Sequence, residues 1–207
     1  MTVTVVDYGA GNIRSVLNAL AYTGADAVAS AIPESVANSE RIVLPGVGAA
    51  GSALEVLRNR GLSEALDTAR ARGTPILGIC LGMQLLADEL DEFGIHPGLG
   101  WIGGRVGPIS EHVGTDVRIP HIGWARIDPV DGEAASFFGR NEKSNHFYFC
   151  HTNCLQTSSP VVAATVDLTT PVVAAVLKEN VFAVQFHPEK SQMNGIRLIE
   201  AFLDWTP

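Results

Sequence analysis

Over the first half of the chain, short apolar runs alternate with segments of helical spacing. Val3–Val6 reads as a strand, closed by the turn-rich Asp7-Tyr8-Gly9-Ala10-Gly11-Asn12. Ile13–Tyr22 places apolar residues at Val16, Leu17 and Leu20, a helical spacing stopped by Gly24. Arg41–Leu44 reads as a second strand, broken by Pro45-Gly46-Val47-Gly48. Helices are predicted over Ser52–Arg58 and Ser63–Arg72, with Gly61 and Gly73 as stop signals. Ile76–Ile79 is a third strand, and Leu81–Leu90 is predicted as the helix after it. Alternation of this kind predicts an open, mainly parallel, doubly wound α/β sheet with helices on both faces.

The second half changes character. From Gly98 to Asp128, glycines and prolines punctuate short β-rich pieces. Asn145–Cys150, Val161–Val166, Val172–Leu177 and Val181–Val184 read as strands, which predicts an antiparallel extension of the sheet. A closing helix from about Gly195 to Trp205 carries Ile196, Ile199, Phe202 and Leu203 on one face. With no repeat and no linker, one domain over residues 1–207 is expected.

Composition narrows the partners. A net charge of −8 without a basic cluster speaks against nucleic acid and anionic membrane surfaces. The N-terminus lacks the basic and long apolar regions of a signal peptide, and no apolar run has the length of a membrane span. Three cysteines, an odd number, do not make a disulfide framework, so a cytosolic location is expected.

Cys80 carries the first chemical signal. A lone cysteine at a strand end is ordinarily inert packing. Here it lies in Gly78-Ile79-Cys80-Leu81-Gly82, between an apolar strand and a helix-forming segment. That is the cysteine form of a nucleophile elbow, whose glycines relieve the crowding of a sharp strand-to-helix turn. Unpaired N–H groups in the following turn would favour a thiolate and donate to a developing oxyanion. The second signal is Gln185-Phe186-His187-Pro188-Glu189, at the end of a predicted strand. His187 can take the thiol proton, and Glu189 can fix its tautomer through the other ring nitrogen. An isolated His-Pro would be a surface turn; beside an elbow cysteine, a Cys-His-Glu triad is the better reading. Pro45-Gly46-Val47-Gly48, weak alone, supplies glycines that let backbone N–H groups approach a reacting carbonyl.

Together these blocks resemble the triad-type (class I) glutamine amidotransferases. The finer pattern is similar to the glutaminase subunits of imidazole glycerol phosphate synthase, from histidine biosynthesis. The Cys80 and His187 blocks carry the wider resemblance. Asp7 to Val16, Pro120-His121-Ile122-Gly123-Trp124 and His146-Phe147-Tyr148-Phe149-Cys150-His151 narrow it, and the match spans essentially the whole chain. The resemblance implies a flavodoxin-like fold and a single amidotransferase domain that hydrolyses glutamine to glutamate and ammonia. By it, Cys80, His187 and Glu189 are catalytic. Gly46, Val47, Gly48 and Leu81 would form the oxyanion site, and Gln84, Thr152 and Asn153 would bind glutamine. The implied partner is a (β/α)8-barrel cyclase that receives the ammonia, with Asn12, Arg14, Trp124, Tyr148 and Lys190 at the interface. No cofactor is implied.

Two positions depart from the family pattern: Asn153 where an aromatic is common, and Ala125 where asparagine is usual. His146, Cys150, His151 and Cys154 form a local cluster, but strand alternation points His146 and Cys150 away from His151, so no metal site is expected. Two other readings stay open: a paralogous glutaminase serving a sugar-modifying barrel, and a catalytically silent docking subunit. A cysteine peptidase or thioesterase leaves the Asp7–Asn12 block without a role.

Overall fold

The structure is a computed structural model that describes residues 2–115, 117–138, 145–157 and 160–207; Met1 and Asp116, which fell within the sequence reading, lie outside it. The chain runs β1 (Thr2–Val6), α1 (Ile13–Tyr22), β2 (Asp26–Ser30), α2 (Pro33–Ala37), β3 (Arg41–Gly46), α3 (Ala50–Asn59), α4 (Leu62–Ala71) and β4 (Ile76–Cys80). It continues with α5 (Leu81–Gln84), β5 (Ala87–Asp91), β6 (Ile95–Pro97), β7 (Ile102–Pro108), β8 (His121–Pro129), β9 (His146–His151) and β10 (Asn153–Gln156). β11 (Val162–Asp167), β12 (Pro171–Lys178), β13 (Val181–Val184) and α6 (Gln192–Asp204) complete it.

Nine strands form the main sheet in the order β2-β1-β3-β4-β13-β12-β11-β8-β9. Pairing is parallel from β2 to β13. It is antiparallel from β13 to β9, as the extension required. Residues alternate between the two faces. Val43, Leu77, Phe182 and Val184 pack with α1 and α6, whereas Ile42, Leu44, Ile76 and Ala183 pack with α3 and α4. Strands covered on both sides read as continuous apolar runs, which is why β3, β4 and β13 were visible in the sequence. β2 was not. It is a half-exposed edge strand with one β-branched residue, Val28, so neither alternation nor a buried run marks it.

The helix predicted over Leu81–Leu90 is a correction. Only Leu81–Gln84 is helical, and Ala87–Asp91 is a strand of a second, four-stranded sheet ordered β10-β7-β5-β6. The carbonyl of Leu85 accepts the Leu99 amide at 2.8 Å, and that of Leu86 accepts Trp101 and Ile102, both at 2.9 Å. Those acceptors are therefore taken by a neighbouring segment, and tertiary pairing overrides the local helical spacing.

The elbow depends on two close approaches. A Cβ on Gly82 would lie 1.8 Å from the Leu44 carbonyl oxygen, and one on Gly78 would lie 2.9 Å from the Ala183 Cβ. Gly82→Ala is therefore expected to cost roughly 3 kcal/mol in urea unfolding. Gly103→Ala, whose Cβ would meet only Asp88 Oδ2 at 3.9 Å, should stay within about 0.5 kcal/mol of the parent.

Candidate active site

Cys80 ends β4 with φ 54° and ψ −109°, a conformation that a residue bearing a side chain avoids. The turn puts Cys80 on the wall of a cavity of about 250 Å³. Of the residues singled out in the sequence, Val47, Gly48, Leu81, Gln84, Thr152, Asn153, His187 and Lys190 share that wall. Gly46 does not. It is buried in β3 in register with Cys80, and its missing Cβ leaves room for Tyr8 Oη and for Leu81. Tyr8 Oη donates to the Pro45 carbonyl at 2.9 Å and fixes the start of the glycine loop. Burial, reinforced by the neighbouring Cys80, raises the Tyr8 phenol well above its ordinary value.

His187 follows β13, and its side chain is 3% exposed; that of Glu189 is 2% exposed. Nδ1 of His187 lies 2.8 Å from Glu189 Oε1, within the short helical turn Pro188–Lys190. Burial alone would lower the His187 pKa. Hydrogen bonds to Cys80 and to Glu189 outweigh that and raise it to about 10. The ring is thus favoured as imidazolium at neutral pH, between sulfur and carboxylate.

Four strands separate β4 from β9 in the main sheet, yet β9 lies against the site. The extension curls back, and Phe147 and Phe149 of β9 pack on Phe186 with ring centroids at 4.2 and 5.5 Å. This brings the edge of β9 that faces away from β8 to Cys80 and His187. The Cys80 thiol points to the Cys150 carbonyl at 3.9 Å, and the His187 amide donates to the Tyr148 carbonyl at 2.9 Å. Trp124 is opposite Tyr148 across β8 and β9, its ring 6.2 Å from the tyrosine and 47% exposed. Lys190 Nζ sits 5.8 Å from the Tyr148 ring centroid, so these three expected interface residues form one patch beside His187. Asn12 and Arg14 are exposed at the start of α1, which packs against the Pro188–Lys190 turn.

Sequence reasoning gave no part in this site to Glu92, Cys150 and His151, which also line the cavity, or to the buried Gln185 behind it, although Cys150 and His151 stood in a block it had singled out. Glu92 Oε2 accepts the Ala50 amide at 2.6 Å, and Oε1 accepts Asn153 Nδ2 at 3.0 Å. The departure at Asn153 thus gives the cavity a carboxylate held at both oxygens. Glu92 lay just past the helix expected over 81–90, so nothing in that reading turned it toward Cys80. Burial lowers the His151 pKa to about 4, which leaves it neutral. Its Nδ1 then donates to the Asn153 carbonyl at 2.9 Å, and its Nε2 accepts from His121 Nδ1 at 3.0 Å. Ala125, the other departure, is half-buried opposite Phe147 and makes ordinary apolar packing.

Residues 4–204 match the family described as Glutamine amidotransferase class-I. The chain is 43% identical to "Imidazole glycerol phosphate synthase subunit HisH" of Rhodospirillum rubrum, with 100% of both chains covered. It is 44% identical to the protein of that name from Caulobacter vibrioides, over 100% of this chain and 99% of that one. Among solved structures, it resembles PurLQS from Thermotoga maritima with a TM-score of 0.75 at 19% identity, covering 98% of this chain and 97% of that one. A structure titled as a glutamine amidotransferase gives a TM-score of 0.72 at 20% identity, with 97% of each chain covered. At those identities the structural matches establish the fold.

The ion pair predicts a pH dependence with a defined sign. A histidine whose folded pKa is raised stabilises the fold fully below its unfolded value, near 6.5, and loses that contribution as pH rises through about 10. Glu189→Gln should lower the His187 pKa, read by NMR titration. The stability gap between parent and variant, measured in urea, should shrink as pH rises toward and past 10.

Proposed function

Because the chain belongs to the class-I glutamine amidotransferases, in the group of imidazole glycerol phosphate synthase subunits HisH, we propose that its cavity hydrolyses glutamine by a Cys80-His187-Glu189 triad and that the ammonia goes to a cyclase partner. The observation that carries this reading is the strained Cys80 at the wall of a cavity it shares with His187, whose imidazole is held by Glu189.

Cys80 thiolate attacks the side-chain carboxamide carbon of glutamine. The oxyanion that forms is met by backbone N–H groups. Leu81, the first residue of α5, has an amide without an intrahelical partner, and the Val47–Gly48 loop borders the same space. His187 gives its proton to the departing nitrogen, the C–N bond breaks, and a glutamyl thioester remains on Cys80. His187, now neutral, removes a proton from water, which attacks the thioester and releases glutamate. Glu189 keeps the ring in the required tautomer throughout. Gln84, Thr152 and Asn153 bind the substrate, and the Glu92 carboxylate suits its α-ammonium group. None of these steps requires a cofactor.

The partner is a (β/α)8-barrel cyclase that uses the ammonia to form imidazole glycerol phosphate and an aminoimidazole carboxamide ribotide. Trp124, Tyr148 and Lys190, with Asn12 and Arg14, form the docking face. Exposed aromatic surface beside the base supports that assignment; Ile122, on the same strand as Trp124, is 57% exposed. The chain works as one amidotransferase unit in the cytoplasm; none of its described helices is long and apolar enough to cross a membrane.

Glutamate release, measured with and without the barrel cyclase and its phosphorylated acceptor, should be low for the chain alone and rise at least tenfold in the complex. Cys80→Ala should abolish it, a loss on the order of 10⁴-fold or more. Retained turnover in that variant contradicts the triad, and equal rates with and without the cyclase contradict the coupling. Stimulation by a sugar-modifying barrel instead would reassign the partner.

A further inference from the structure

Gln185 is fully buried just after β13, between Val184 and Phe186, both 0% exposed. An amide in such surroundings is costly unless its polar atoms are paired, so its partners are informative. Its backbone amide donates to the Ala174 carbonyl at 2.8 Å, which holds the main chain to β12. Its side-chain Oε1 accepts from Gln84 Nε2 at 2.9 Å. Its Nε2 lies 3.7 Å from Cys80 Sγ, within range for an N–H···S hydrogen bond.

The direction of the Gln185 amide follows from its neighbours. Gln84 Nε2 also donates to the Asn153 carbonyl at 3.2 Å, so Gln84 turns its NH2 group inward. Gln185 must answer with its carbonyl oxygen, which leaves its own NH2 for the sulfur. The sulfur needs such a donor. Its main-chain neighbour is the Cys150 carbonyl at 3.9 Å, an acceptor that suits a thiol and repels a thiolate. Once the proton has passed to His187, Gln185 Nε2 is a neutral donor within reach of Sγ.

We propose that Gln185 is a positioning residue for the nucleophile: its Nε2–H donates to Cys80 Sγ, holds the sulfur in its elbow orientation and stabilises it as thiolate for attack on glutamine. The inference rests on the glutaminase reading of the cavity. Its consequence is a chain of directed hydrogen bonds from the Asn153 carbonyl through Gln84 and Gln185 to the sulfur, so the substrate wall and the nucleophile share one rigid network.

The test is the pH profile of Cys80 alkylation by iodoacetamide in the full-length chain, with kcat and KM for glutamine measured in the cyclase complex. Gln185→Met keeps the side-chain length and removes the donor to Sγ, together with the acceptor of Gln84 Nε2. It should slow alkylation at pH 7 roughly tenfold, move the profile to higher pH and lower kcat by a similar factor. A folded Gln185→Met protein with the parental alkylation profile and kcat overturns the proposal. Should Gln185→Met fail to fold, Gln185→Leu, apolar like the neighbouring Val184 and Phe186 and equally without a donor, gives the second reading. It should slow alkylation as Gln185→Met does, and alkylation as fast as the parent's overturns the proposal. Alkylation needs no glutamine turnover. A parent chain that alkylates at Cys80 but releases no glutamate with any partner would therefore sink the glutaminase reading, and the Gln185 comparison would still be decided on the alkylation profiles.

Discussion

The geometry at this site is built on a main-chain conformation that Cys80 would not adopt by choice. A residue with a side chain held at φ 54° and ψ −109° costs on the order of 1–3 kcal/mol, so its surroundings must impose it. They do so by close packing. β4 lies between β3 and β13, parallel to both, and all five of its residues are buried. The chain can leave that position only by pressing Gly82 onto the Leu44 carbonyl and Gly78 onto β13. The same crowding explains why Gly46, opposite Cys80, has no room for a side chain.

A second constraint comes from the curl of the antiparallel extension. One edge of β9 is paired with β8, and its other edge faces Cys80 and His187. Along that edge, Cys150 and Tyr148 offer carbonyls to Cys80 and His187, while the Tyr148 amide donates to Ser191 Oγ at 2.9 Å. Ser191 Oγ in turn donates to the His187 carbonyl at 2.6 Å. His187 is therefore tied to Tyr148, whose ring meets Trp124, directly at its main-chain amide and through Ser191 at its carbonyl. In the proposed complex, a partner that presses on Trp124 and Tyr148 acts on the strand whose carbonyls meet Cys80 and His187.

Much of this was legible in the sequence, for identifiable reasons. Strands β3, β4 and β13 are covered on both faces, so unbroken apolar runs marked them. Cys80 and His187 carry local signatures, flanking glycines and a following Pro-Glu, that hold regardless of the rest of the fold. What stayed hidden depends on contacts between distant segments. The turn after the elbow has helical spacing, but Leu99, Trp101 and Ile102 take its carbonyls and convert Ala87–Asp91 into a strand. That conversion carries Glu92 to the cavity wall, whereas in the sequence it was one of four acidic residues from Asp88 to Glu92, with nothing to single it out. Gln185 was silent for a similar reason: its partners, Gln84 and Cys80, lie about a hundred residues earlier. Asn153, a departure from the family pattern, gained a role once its amide was seen to hold Glu92.

If Cys80 is the nucleophile that this crowded turn exists to present, glutamine must pass through an acyl group on its sulfur. The most direct measurement is acid quenching of the complex during steady turnover with isotopically labelled glutamine, followed by mass spectrometry of the peptide that contains Cys80. A labelled glutamyl group on Cys80 that appears with substrate and disappears as glutamine is exhausted is the predicted result. Glutamate release with Cys80 unmodified throughout turnover, or with the label on another residue, would contradict it.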